Sequence, residues 1–198
     1  MINIAAVVKS LGPSQKSFYL IKEFNKAREN SDISTSVFYE RPVIPVVAPL
    51  FSCRNVGFFS DYNGIAIATT LNEANTLIKT HNNAVKCLYL WNMEWLTSPV
   101  NYRPACDILH DPKLHIFARS ESHAALIKNF CNKDSAAIID DWDIDQISDF
   151  YIDYMQKEKE KEERRQERMR IRRERAQQQK EQQKQHVTNW CSICDWTI

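Results

Sequence analysis

The chain has 198 residues, enough for one ordinary domain with an extension but too short for two full domains. Only three of the residues are glycine, which excludes glycine-rich phosphate loops and collagen-like repeats. The formal net charge of +1 hides an asymmetry: residues 1–156 carry 14 Lys and Arg against 17 Asp and Glu, whereas residues 157–198 carry 12 against 8. We therefore interpret the chain as a slightly acidic head followed by a basic tail.

The head begins with strand and helix signals that alternate. The continuous apolar run at residues 4–8 predicts a strand buried on both faces, and the β-branched run at 32–39 predicts a second strand. Between them, apolar side chains at helical spacing predict a helix over residues 17–28. Three prolines between residues 42 and 49 then predict a loop or a sheet edge.

The alternation continues through the rest of the head. The predicted elements are strand 64–69, helix 71–78, strand 85–91, strand 114–118, helix 120–130 and strand 136–139. Strands that alternate with helices of this length are typical of parallel sheets with helices on both faces. We therefore predict one doubly wound, mostly parallel, Rossmann-like α/β domain over residues 1–150.

The composition changes abruptly at residue 157. From there to residue 185, only Met169, Ile171 and Ala176 are apolar. Opposite charges three and four residues apart stabilise an isolated helix by roughly 0.2–0.5 kcal/mol each, whereas a coiled coil needs an apolar seam. We therefore predict a solvated single helix over residues 151–186 that acts as a spacer.

The predicted helix contains a strongly basic stretch. Residues 164–175 hold seven arginines, which attract phosphates without sequence preference, although interleaved glutamates weaken the field. Nonspecific nucleic-acid binding through residues 164–175 is therefore one hypothesis. The alternative is that the charges only keep the helix solvated.

The last twelve residues are hydrophobic again, but they are too few to form a core of their own. We predict that residues 187–198 are a docking peptide covered by a protein partner, by the head or by a second copy. The predicted docking residues are Trp190, Ile193, Trp196 and Ile198. Cys191 and Cys194 also have the two-residue gap of zinc ligands, with His186 as a third ligand, and redox activity is a further alternative.

Three features bear on the compartment. No apolar stretch approaches the roughly 20 residues that a membrane-spanning helix requires. The start of the chain lacks the basic region of a signal peptide, and four of the six cysteines stand singly among apolar residues, as reduced, buried thiols do. We predict a cytoplasmic protein without membrane partners.

The loop after the first predicted strand is a candidate binding site, because open α/β sheets place ligands where a strand ends and a helix begins. Gly12 permits a turn, and Ser14 or Ser17 can cap the following helix. Lys16 can meet an anion at the helix N-terminus. An ordinary strand–helix turn is the alternative interpretation.

Two further candidates follow later strands. Trp91 and Trp95 flank Glu94, so the rings can stack on a sugar or base while the carboxylate acts as a catalytic base. Both tryptophans are equally typical of a packed core. Arg119 and Ser120 stand between a strand and a helix, where they can bind substrate, although a helix cap also explains Ser120.

Residues 61–74 and 114–127 each place a strand directly before a helix, the second through an Arg-Ser pair. The chain over residues 1–145 resembles the N-terminal half of GT-B glycosyltransferases, and segments 85–95 and 107–112 look like the acceptor half of phage DNA glucosyltransferases. The resemblance implies a nucleotide-sugar donor and catalysis in a cleft between two α/β halves. With one half present, it implies either a binding module or a transferase completed by another chain or copy. A structural part of a phage-like assembly is a third hypothesis.

Overall fold

The structure is a computed structural model that describes residues 1–93 and 99–194, with side chains described for residues 1–93 and 102–179. The strands are β1 (Ile2–Val8), β2 (Ile33–Tyr39), β3 (Ser52–Asn55), β4 (Ile65–Ala68), β5 (Val85–Leu90), β6 (Leu114–Ala118) and β7 (Ala137–Ile138). The α-helices are α1 (Gln15–Ala27), α2 (Leu71–Lys79), α3 (Pro99–Leu109), α4 (Glu121–Cys131) and α5 (Ile144–Cys194). A 3₁₀ helix spans Val56–Asp61.

Within the described residues, the strands form one seven-stranded sheet in the order β3-β2-β1-β4-β5-β6-β7. Each neighbouring pair in this sheet is parallel, which confirms the predicted parallel α/β class. At the centre of the sheet, Ile4 of β1 lies opposite Thr35 of β2 on one side and Ile65 of β4 on the other. β4 and β5 are buried along their whole length, because helices cover the sheet.

Alternate side chains along each central strand pack against different helices. On one face, Leu77 of α2, Leu109 of α3 and Ile127 of α4 are buried in one cluster with strand residues such as Leu88. On strand β5 the neighbouring Tyr89 packs edge to face against Trp142, which also contacts Phe24 of α1. The sheet is therefore buried on both sides, as its continuous apolar strands predict.

Three elements of the head were not predicted from the sequence: β3, the 3₁₀ helix and α3. β3 is an edge strand whose residues are all exposed, so it carries no apolar alternation that could reveal it. α3 begins with Pro99 and contains Pro104, and proline within a run normally argues against helix. The remaining predicted elements of the head are confirmed to within about two residues, the usual disagreement at element ends.

The chain divides into two compact units, Met1–Tyr151 and Ile152–Ile198. Helix α5 begins at Ile144, earlier than the predicted residue 151. In the second unit, its exposed ion pairs include Lys157–Asp153 and Arg164–Glu160 at i,i+4 spacing. In the described part of the chain, no helix has both the length and the apolar character needed to cross a bilayer.

The four cysteines whose side chains are described carry free thiols in different environments. Cys87 and Cys131 are buried as predicted, but Cys53 is exposed on the edge strand and Cys106 is half-buried. Burial, together with the neighbouring Cys106, raises the pKa of Cys131 from 9.0 to about 11. The folded protein therefore keeps Cys131 protonated at pH values where the unfolded chain releases the proton.

This difference predicts a pH-dependent stability. Because the folded-state pKa is the higher one, the contribution of Cys131 is fully present below pH 9 and is lost as the pH rises towards 11. Urea unfolding at pH 8 and pH 10.5 should show a larger loss of stability for the natural protein than for Cys131→Ala, by about 1–2 kcal/mol. Equal losses for both proteins would contradict the assignment.

Candidate functional site

The candidate site lies between β1 and β4, where the order in which strands are added to the sheet reverses. From β1 the chain passes through α1 to β2 on one side, and from β4 it passes through α2 to β5 on the other side. Because all strands are parallel, the segments that follow β1 and β4 lie at the same edge of the sheet. Open α/β sheets bind ligands in the crevice that forms at such a switch point.

The segment after β1 leads into α1 and supplies a helix cap and a cation. The Ser14 hydroxyl accepts a hydrogen bond from the Ser17 amide at 3.1 Å, so Ser14 is the N-cap that the sequence offered as one of two alternatives. The first turn of α1 carries no acidic residue. Lys16 Nζ lies 3.1 Å from Thr69 Oγ1, so its ammonium group stands between the two strand ends. Positive charge is therefore concentrated at this end of α1.

The segment after β4 is held by a buried carboxylate. Glu73 is only 2% exposed, and its Oε2 accepts hydrogen bonds from the Thr69 amide at 3.1 Å and from Thr69 Oγ1 at 2.8 Å. The Thr70 hydroxyl in turn accepts from the Glu73 amide and caps α2. This reciprocal pattern is close to a capping box, and it orients Thr69 towards Lys16.

Two adjoining cavities open beside these groups and share Lys16, Thr69, Thr70, Trp91 and Asn92. The larger cavity, about 580 Å³, extends along the segment after β1, and its polar lining includes Lys9, Ser10, Ser14 and Gln15. The smaller cavity, about 340 Å³, extends towards α3, where it is lined by Leu71, Leu90, Ala105 and Ile108. These volumes are those of small-molecule sites, which range over about 300–1,000 Å³.

Trp91 forms the wall between this crevice and the end of β6. The guanidinium carbon of Arg119 lies 4.0 Å from the centre of the Trp91 ring, within cation–π distance. Arg119 also donates to Asp141 Oδ1 at 2.8 Å. Trp91 is only 6% exposed and also packs against Tyr19, so most of its ring surface is covered by protein. A stacking ligand would have to displace Arg119 or meet the ring edge.

The structure brings some of the predicted site residues together and leaves others apart. Gly12, Ser14, Lys16 and Trp91 line one cavity, with Arg119 behind Trp91. Gly12 has no left-handed backbone, and a Cβ atom there would lie 3.2 Å from Val43 Cγ1, so the glycine permits close packing rather than a special turn. Ser120 caps α4 by accepting from the His123 amide and is not among the residues that line the described cavities.

Several predicted functional residues lie outside the described part of the structure. These are the backbones and side chains of Glu94, Trp95, Trp196 and Ile198, and the side chains of His186, Trp190, Cys191, Ile193 and Cys194. Their predicted roles in catalysis, zinc binding and docking stay predictions. Among the side chains that are described, no group of three or more His, Cys, Asp or Glu is arranged to hold a metal ion.

Some residues at the site were missed from the sequence. Thr70 and Glu73 follow the Thr-x-x-Glu spacing of a capping box directly after a predicted strand, and this signal could have identified them. Asp141 could not be paired with Arg119 from sequence, because the pair joins the ends of two different strands. Asn92 was not among the predicted site residues, although it lines both cavities.

Comparisons with protein-family models, with curated proteins and with solved structures find no match for this chain. The resemblance to the acceptor half of GT-B glycosyltransferases therefore stays a prediction. The same holds for the half-enzyme hypothesis and for a role in a phage-like assembly.

Proposed function

We propose that the first compact unit, Met1–Tyr151, is a Rossmann-like module that binds a nucleotide at the switch point between β1 and β4. The observation that carries this proposal is the pair of adjoining cavities that share Lys16, one reaching the start of α1 and the other reaching apolar side chains of β5 and α3. The larger cavity presents Lys9, Lys16 and the start of α1 to an anionic phosphate group. The smaller cavity presents Leu90, Ala105 and Ile108 to a flat ring.

The charges beside the site support an anion more than a cation. Lys16 lines both cavities, whereas the carboxylate of Glu73 is buried and already accepts two hydrogen bonds. A phosphate placed near Ser14 would meet the positive end of α1, where no acidic side chain competes in the first turn. A nucleotide-sugar, the donor implied by the resemblance to glycosyltransferases, belongs to this ligand class.

Lys16→Ala is expected to weaken nucleotide binding at least tenfold, because the variant removes the cation that both cavities share. The measurement is calorimetric titration of the full chain with ATP, UDP-glucose and inorganic phosphate. At a nucleotide concentration a hundredfold above Kd, binding should also stabilise the natural protein by about 2.7 kcal/mol in thermal unfolding.

Lys22→Ala is the matched control, since Lys22 lies on the same helix, is exposed and forms an ion pair with Glu23 at 3.7 Å. It should bind nucleotides as the natural protein does. The proposal fails if none of the nucleotides binds at millimolar concentration, or if the two lysine variants bind them equally well. Phosphate that binds as tightly as the nucleotides would reduce the site to a simple anion site and would also overturn the proposal.

A further inference from the structure

The charges of α5 are sorted onto different faces of the helix. At 3.6 residues per turn, one face about 100° wide holds seven positions between residues 157 and 175. Each of these positions is basic, and the cationic stripe consists of Lys157, Lys161, Arg164, Arg165, Arg168, Arg172 and Arg175. The glutamates of the same segment fall outside the stripe, so they flank it and do not divide it.

The stripe is solvated and only partly neutralised. Arg164 and Arg165, two of its members, have side chains that are 71% and 76% exposed. Its ion pairs involve carboxylates at its margins, such as Asp153 with Lys157 and Glu160 with Arg164. Among the described side chains, Arg168, Arg172 and Arg175 take part in no ion pair. Off the stripe, by contrast, Arg170 lies between Glu167 at 2.9 Å and Glu174 at 3.6 Å.

We propose that the cationic stripe of α5 binds the phosphate backbone of double-stranded DNA without sequence preference. The stripe is about 27 Å long at 1.5 Å per residue. That length matches about eight base pairs of B-form DNA, whose phosphates repeat every 3.4 Å along each strand. An α-helix also fits the major groove, which is about 12 Å wide.

Other polyanions fit the same residues less well. Duplex RNA has a major groove too narrow and deep for a helix to enter. Residues 157–175 contain no aromatic side chain for stacking on single-stranded bases. A lipid surface requires an apolar face opposite the charges, but Met169 and Ile171 stand on different sides of the helix.

The test is fluorescence anisotropy of the full chain with a labelled 24-base-pair DNA duplex of arbitrary sequence, between 50 and 200 mM KCl. If about five phosphates are neutralised, the affinity should fall roughly 500-fold across this range. The variant Arg165→Gln/Arg168→Gln/Arg172→Gln should bind at least thirtyfold more weakly at 50 mM KCl, and its salt dependence should be shallower.

The matched control is Lys159→Gln/Arg170→Gln/Arg173→Gln, which removes the same charge from other faces of the helix. It should bind within about threefold of the natural protein, and both variants should keep their helical circular dichroism. Equal losses in the two variants would show that only net charge matters and would overturn the proposal. Tighter binding to duplex RNA, to a single strand, to anionic vesicles or to an acidic peptide would overturn it as well, as would no binding at all.

Discussion

Replacing Gly64 by alanine is expected to lower the free energy of unfolding by about 3 kcal/mol or more. Gly64 has a φ of +143°, a conformation that side chains rarely adopt. A Cβ atom there would lie 2.4 Å from the carbonyl oxygen of Asn3 and 2.7 Å from its Cβ. The first of these is a backbone atom of the central strand β1, so no change of rotamer can relieve the overlap.

Gly57→Ala provides the control, because its added Cβ would meet only the Asn55 side chain at 3.3 Å and its backbone is not left-handed. That variant should lose less than about 1 kcal/mol. Urea unfolding of both variants at pH 7 measures the difference. Similar midpoints for the two alanine variants would mean that β1 and β4 do not approach each other as closely as described.

Replacing Trp142 by alanine is expected to lower the free energy of unfolding by about 3–5 kcal/mol, as the loss of a large buried aromatic side chain usually does. Trp142 is fully buried, with its ring 4.9 Å from that of Tyr89 and 6.0 Å from that of Phe24. Asp141 and Trp142 are consecutive residues with left-handed backbones, and their φ values are 38° and 71°. Such strain persists only where the surrounding contacts compensate for it, and the buried ring supplies those contacts.

Two further variants make this prediction specific. Trp142→Phe keeps most of the ring contacts and should lose clearly less stability than Trp142→Ala. Phe58→Ala removes an aromatic ring that is 69% exposed and should change stability by less than about 1 kcal/mol. Urea unfolding followed by circular dichroism compares all three variants. A loss for Trp142→Ala no larger than that for Phe58→Ala would contradict the role of Trp142 as an anchor.

The core of the fold was predictable because burial leaves a regular pattern in the sequence. β1 and β4 are continuous apolar runs, and the apolar spacing of α1 matches a helix that buries Leu20, Ile21 and Phe24. β3 was not predictable, since an edge strand can be held by backbone pairing with β2 alone. Likewise, Pro99 fits the first turn of α3, but Pro104 lies inside the helix, where helix propensities predict that no helix forms.

The sequence predicted those residues of the candidate site that lie at a single strand–helix junction, but not the contacts between the ends of different strands. Ser14 and Lys16 follow from a single strand–helix junction. The contacts of Trp91 with Arg119, and of Arg119 with Asp141, depend on how three strands are ordered in the sheet. Local spacing carries no information about that order, so these contacts required the structure.

The position of β1 at the centre of the sheet has a consequence for how the molecule folds. Ile4 of β1 pairs with Thr35 of β2 but also with Ile65 of β4, which follows β3 and the 3₁₀ helix in the chain, so the pairing with β4 spans about twice as many residues. Contacts between residues far apart in sequence form slowly, because chain entropy is lost before they stabilise anything. The crevice between the ends of β1 and β4 therefore forms only when β1 makes the more distant of its two strand pairings. A chain that ends before β4 lacks one wall of this crevice.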